Sequence, residues 1–393
     1  LPWRPEDLLS RRIAPGDVDV DEVASVADAV ARLHARAMTG PRINRVGVTA
    51  AVEESCSAVL ERLAQARRVE PDVVSDEALA FLRARLASFC DEHRTLLEHR
   101  VADWRIRECH GGLAADRVCL GAEGVRIVGC VSPDPAVRCG DVAKDVAALV
   151  VDLDDRGASR EARAIVERYA AVASDPDVAT LLALHRTLRA LELAAESLEG
   201  ALAADERPAT TELVRIARNR VHLALGYEMP VSIVLACGGP AGDRRAAARH
   251  LSERLGATLL RAAPGVGDGD VRDALVREAV RELHDECSVV VDDEFARASH
   301  RRPFLDAAAR LGVACYALQV GTPRSFTPVH VDQPGDAISE SEDAAFRPSR
   351  DVDGVVEPLD EFPRDRVVHR STAAPPEEHC RAMLEAAVAL TDA

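Results

Sequence analysis

The hydrophobic period changes near residue 230, and that change fixes most of what this 393-residue chain can fold into. From Val18 to about Arg107 the apolar residues recur at i, i+3, i+4 and i+7, as in VASVADAVARLHARA and DEALAFLRARLASFC, the pattern of helices with one buried stripe. Between His110 and Val131 short β-prone pieces (DRVCL, GVRIVGCV) are separated by glycine-containing turns, which predicts a small β-hairpin set among helices. Helical spacing returns at DVAKDVAALVVDLDDRG, EARAIVERYAAVA and LLALHRTLRALELAAESLEGALA. After Pro230 the runs VSIVLA, ATLLR, CSVVVD and VACYALQV alternate with amphipathic stretches, which predicts a parallel sheet with helices on both faces. The fold class expected is therefore α/β overall: a mostly helical domain over 1–205 with a small hairpin, a bridging helix over 206–229, and a three-layer α/β domain over 230–393. The segment from Gly321 to Pro363 reads as a long irregular connection of the lid or disordered-loop kind.

Composition narrows the function classes. Hydrophobic residues make up 47% but aromatics only 3%, so the cores must be built from Ala, Val and Leu. A formal charge of -17 leaves no global positive field, which argues against nucleic acid as the main partner. Ten cysteines occur without a CxxC pair or a Cys/His grouping at zinc spacing, and they read as reduced, buried thiols of a cytoplasmic protein. Cys109, Cys119, Cys130 and Cys139 recur at intervals that a run of short β-segments explains. No run of eighteen apolar residues is present, so no membrane partner is expected, and the charged start LPWRPEDLLSRR is not a signal peptide. The chain begins without Met, which reads as a fragment. Arginine outnumbers lysine 48 to one, and the single Lys144 falls in none of the places where phosphoryl transfer would need it.

Two segments carry a family resemblance. RECHGGLAADRVCL, followed by GVRIVGCVSPDPAVRCGDVAKDVAALVVDLDDRG, resembles the catalytic loop (HGDLHxxNI) and metal segment of aminoglycoside-phosphotransferase-like proteins. The register rests on His110, Gly111, Leu113, Arg138, Asp141, Asp145 and the stretch 152–157. VSIVLACGGPAGDRRAAARHL stands in the place of a strand, a Walker A loop (GxxxxGK[ST]) and a helix, and CSVVVDDEFARASHRR resembles a strand ending in DATF. Together they resemble bacterial two-part proteins that join a kinase-like domain to a small P-loop kinase, over nearly the whole chain. On that register Leu1 aligns just after the hinge, so the β-rich amino lobe is expected to be absent from this chain.

The resemblance implies that the chemistry has been lost. The aspartate that should accept the proton of the attacking hydroxyl falls on Gly112, which has no side chain to do so. The magnesium-binding Asn falls on Arg117, the metal-binding Asp on Gly129, and the Glu that follows on Ser132. At about 4 Å a guanidinium opposes each unit of metal charge by about 4 kcal/mol at an effective dielectric near ~20. In the second segment Gly238, Gly239 and Gly242 remain as candidate nucleotide- or anion-binding positions, but Asp243, Arg244 and Arg245 follow them. Arg244 keeps a positive charge without the compact ammonium of the Walker lysine, and Arg245 replaces a metal-holding hydroxyl. Ala262 and Ala263 stand where Ser-Asp is usual, and Glu294 where Thr is usual.

The remnants are Asp292, either a strand-end structural carboxylate or a surviving acid/base group, and His110, which reads as a packed turn histidine more than a catalyst. Asp141 and Asp145 read as capping and salt-bridging groups around Lys144 rather than metal ligands. Arg244 and Arg245 read as a solvated helix start or, alternatively, as an anion site. The function expected is a pseudoenzyme that acts through an unknown protein partner or a small anionic ligand, with no cofactor and no metal. The alternative is an ATP- and magnesium-dependent phosphotransferase that uses Arg244 and Asp292 of the P-loop half. A decayed remnant without selected activity is the third class.

Overall fold

The computed structural model describes residues 4–13, 19–67, 70–130, 138–204, 207–238, 241–261, 268–321, 357–370 and 374–391. Of the sequence candidates, Ser132, Gly239, Ala262, Ala263 and most of the 321–363 connection lie outside them. The fold is mixed α/β, and the chain divides into two compact units: Leu1–Met229 with Glu253–Gly256, and Pro230–Ser252 with Ala257–Thr391. The helix anticipated over 206–229 spans Arg207–Glu228 and falls within the first unit.

The first unit is helical because its apolar residues fall on one stripe per helix. Helix α2 (Val20–Arg36) buries Val23, Val26, Ala27 and Val30, and Asp19 caps its start by accepting from the Asp21 amide. It packs against α8 (Ser159–Val172), which contributes Ala162, Ile165 and Tyr169. Helix α7 (Val142–Asp155) adds Val146, Leu149, Val150 and Leu153 and packs against α9 (Val178–Ala203). Full burial of each such Val or Leu contributes about 1.5–3 kcal/mol, so this stripe outweighs the weak helix propensity of its valines.

The hairpin expected after His110 is present as β2 (Val118–Gly121) and β3 (Gly124–Ile127), paired antiparallel. A second antiparallel pair, which the sequence reading missed, joins β1 (Ile106–Glu108) to β4 (Cys139–Asp141). It places the residues just before His110 beside the start of α7. Three residues per strand are too few for alternation to be visible.

The second unit carries a five-stranded, all-parallel sheet in the order β6-β7-β5-β8-β9. Its strands are β5 (Ser232–Cys237), β6 (Thr258–Arg261), β7 (Val289–Asp292), β8 (Ala314–Val320) and β9 (Val367–Arg370). One face, with Ile233, Leu235, Cys237, Val289, Val291, Cys315 and Ala317, packs on α12 (Asp268–His284) and α13 (Ala298–Leu311). Val234, Ala236, Val290 and Leu318 on the other face are buried as well, which explains why these strands read as continuous apolar runs. Strand β9 was not anticipated, because VVHR is short and flanked by charge. Helix α14 (Pro376–Thr391) follows it and packs on β8 and β9. Arg301 is fully buried in this unit; it pairs with Glu361 and donates to Phe295 O (2.7 Å) and Pro358 O (2.9 Å). It thereby fixes the turn at Phe295, whose φ is +47°, to the 357–362 segment.

Among the described residues no helix is long and apolar enough to cross a membrane. Seven of the cysteines are buried, but Cys130 is exposed and Cys139 and Cys287 are half-buried, which corrects the expectation of uniformly buried thiols.

Candidate functional sites at two buried aspartates

In the first unit the site is organised by Asp145. Asp141 caps α7, accepting from the Ala143 amide at 2.8 Å, and one turn later Asp145 enters the core with 1% of its side chain exposed. Its two oxygens accept from the backbone amides of His110 (2.6 Å) and Gly111 (2.8 Å), and Nε2 of His34 stands 3.3 Å away. Nδ1 of His34 in turn meets the Tyr169 hydroxyl at 2.7 Å. Burial opposes ionisation of Asp145, but His34 and the two amides outweigh it, and its pKa is held below the usual carboxylate value. The carboxylate therefore holds loop backbone in place. Gly111, at φ +84°, occupies a conformation that only glycine adopts without strain.

Asp141 and Asp145 take the capping and ion-pairing roles expected of them, with partners other than Lys144. Asp141 takes Arg100 in two-point contact (2.7 and 2.8 Å), and Arg100 reaches on to Asp175 at 2.5 Å. Lys144 points outward, 43% exposed, 3.7 Å from Glu192. His34, Cys109 and Asp145 lie close enough to share an ion. They do not fit one: the Asp145 oxygens are already taken, and burial together with Asp145 and Asp141 pushes the Cys109 thiol well up, against the thiolate a metal needs.

His110 is buried, with Nε2 3.3 Å from Val128 O and no partner on Nδ1, as a packed turn histidine is. Gly112 follows without a side chain. The structure brings Arg117 and Gly129 together: Val128 N donates to Arg117 O at 2.9 Å, and Nη1 of Arg117 lies 3.1 Å from where a β-carbon on Gly129 would sit. Gly129 has φ +72°, so an aspartate there would be strained as well as crowded by the guanidinium. A cation beside a glycine does not fit a divalent metal.

In the second unit β5 is followed by Gly238 (φ +71°), and α11 (Ala241–Leu255) begins a few residues later. Asp292 lies at the carboxyl end of the adjacent strand, with 2% of its side chain exposed. Arg244 turns back into the sheet, donating from Nε to Asp292 Oδ1 at 2.8 Å and from Nη1 to Gly238 O at 3.0 Å. Being buried, it corrects the reading of Arg244 as part of a solvated helix start; Arg245 is 60% exposed and does fit it. Asp243 and Gly242 are exposed at the first turn.

Two further guanidiniums face the same carboxylate: Arg261 at 3.2 Å and Arg245 at 3.8 Å. Sequence reasoning missed Arg261, although β6 and β7 end on Arg261 and Asp292 in register, a signal available once the two strands are taken as neighbours. Glu294 contributes its backbone oxygen, which accepts from Gly238 N at 3.1 Å. Asp292 is thus tied into an arginine cluster at the carboxyl edge of the sheet, where β-strands of this topology present ligands.

No known protein-family profile matches the chain. It is 24% identical over 263 residues to an uncharacterized protein of Mycobacterium bovis and, equally, to uncharacterized proteins of two Mycobacterium tuberculosis strains. The match covers 66% of this chain and 51% of each relative, so the aligned part spans about half the length of the curated relatives it matches.

Proposed function

We propose that the chain is a pseudoenzyme built on two kinase-type frameworks, a relative of proteins that join an aminoglycoside-phosphotransferase-like domain to a P-loop kinase, and that it works in the cytoplasm by binding rather than by phosphoryl transfer. The observation that carries this reading is the state of Asp292. A carboxylate that is to take a proton or hold a magnesium-bound water needs a free lone pair facing the substrate, and this one is engaged by Arg244 with Arg261 and Arg245 beside it. The first unit supports the same reading, because Gly112 offers no base and Arg117 stands beside Gly129.

Thermal unfolding with ATP, ADP and phosphate, each with and without magnesium, tests the proposal. A ligand that binds the native state raises its apparent stability, so a nucleotide site in working order raises the Tm only when ATP and magnesium are both present. The reading expects no such joint requirement and no transfer from labelled ATP to any acceptor. Transfer that is lost in Asp292→Asn would establish a working phosphotransferase instead.

A further inference from the structure

The first unit has a cleft of about 430 Å³ between α2, β1 and α8, and His34 and Tyr169 of the Asp145 cluster form part of its lining. Its charge is opposite to that of the chain. Arg32, Arg105, Arg107 and Arg168 line it against a single carboxylate, Asp28, in a protein whose formal charge is -17. Asp28 is already committed, receiving Arg168 in two-point contact at 2.9 and 3.2 Å. Arg105 donates to Ala173 O and Ser174 O, with Asp175 3.8 Å distant. The guanidinium of Arg107 is spent on carbonyl oxygens, those of Trp104 (3.1 Å), His34 (3.1 Å) and Ala37 (3.2 Å), and meets no carboxylate among the described residues. Arg32 makes no hydrogen bond or ion pair among the described residues. Backbone oxygens fix the direction of a guanidinium without cancelling its charge, so Arg107 and Arg105 are held in place and remain cationic.

We infer that this cleft binds a small organic phosphate, with Arg32 and Arg107 supplying the charge that receives the phosphoryl group. Arginine forks match phosphate oxygens, and the preset orientation of Arg107 and Arg105 lowers the entropy lost on binding. The rest of the wall combines the rings of His34 and Tyr169 with the short apolar Ala31, Ala35 and Val172, which suits a compact body such as a sugar or a single ring. The volume lies at the lower end of the range for small-molecule sites, about 300–1,000 Å³. The site is independent of the arginine cluster around Asp292 and of whether the chain retains any transfer activity.

Isothermal titration of the full chain with phenyl phosphate, inorganic phosphate and phenol tests this. Phenyl phosphate is expected to bind, inorganic phosphate more weakly and phenol not at all, with affinity falling as salt is raised. Arg32→Ala is expected to weaken phenyl phosphate binding about tenfold, as the loss of one charge-assisted contact does, and Arg32→Lys to restore part of it. Arg32 is exposed and unpaired among the described residues, so its variants keep the wild-type melting curve. Arg261→Ala, in the second unit, is expected to leave the affinity unchanged. Absence of binding by the wild-type chain at millimolar ligand, indifference to Arg32→Ala, or loss in Arg261→Ala alone overturns the assignment.

Discussion

The two candidate sites each centre on a buried aspartate, and the two aspartates are held by opposite means. Asp145 is satisfied by backbone amides and a histidine, so it defines where the His110 loop runs whatever side chains that loop carries. Asp292 is satisfied by arginine side chains, so its surroundings are set by residue identity and not by the course of the chain. A carboxylate that holds backbone is costly to remove, because the loop amides it accepts from lose their partner. The comparison separates scaffold from function more clearly than either site does by itself.

The comparison breaks most readily at the aspartates themselves. Asp145→Ala leaves two buried amides and His34 without their acceptor, and is expected to cost roughly 3–5 kcal/mol. Asp292→Ala is expected to cost only about 1–2 kcal/mol, since Arg245 and Arg261 keep their water and Arg244 keeps Gly238 O. Both tryptophans, Trp3 and Trp104, precede Pro230, so urea unfolding followed by fluorescence reports the first unit and circular dichroism reports both. Equal losses would end the distinction.

A comparable effect comes from pH. Burial pulls the pKa of His185 in α9 down to about 4 from the ordinary 6.5. The unfolded chain then binds the proton first, so this contribution to stability is complete above pH 6.5 and disappears as the pH falls from 6.5 to about 4, by about 3 kcal/mol in all. Asp145, with its lowered pKa, gives up its own contribution at lower pH, beneath the usual carboxylate value. His185→Leu is expected to flatten the first window and leave the second, and an unchanged slope between pH 6.5 and 4 would contradict the assignment.

Smaller effects sharpen the picture. Gly129→Asp is expected to lose about 1–2 kcal/mol at φ +72°, with part recovered when Arg117→Asn removes the crowding guanidinium. Lys144→Ala is expected to shift stability by less than about 0.5 kcal/mol, because its one ion pair is loose and half in water.

The layout was legible where periodicity was strong. The helical stripes of α2, α7 and α9 and the apolar runs of β5, β7 and β8 declare themselves in sequence, because burial on one stripe or on two faces repeats over many residues. Strands β1, β4 and β9 did not, being three or four residues long with charge at their flanks. At the sites, local facts could be read: Gly112 has no side chain, and Arg117 and Gly129 flank the β-prone pieces that pair as β2 and β3. Tertiary pairings could not. That Arg244 folds back onto Asp292, or that Arg32, Arg107 and Arg168 share a cleft, depends on elements far apart in the chain whose juxtaposition no spacing rule encodes.

With only one ε-amine in 393 residues, standing out from the first exposed turn of α7, amine-directed reagents have a single side chain to modify. A dye, spin label or cross-linker placed on Lys144 lies one residue from Asp145, so it would report the first unit's loop anchor from outside the core without any engineered cysteine.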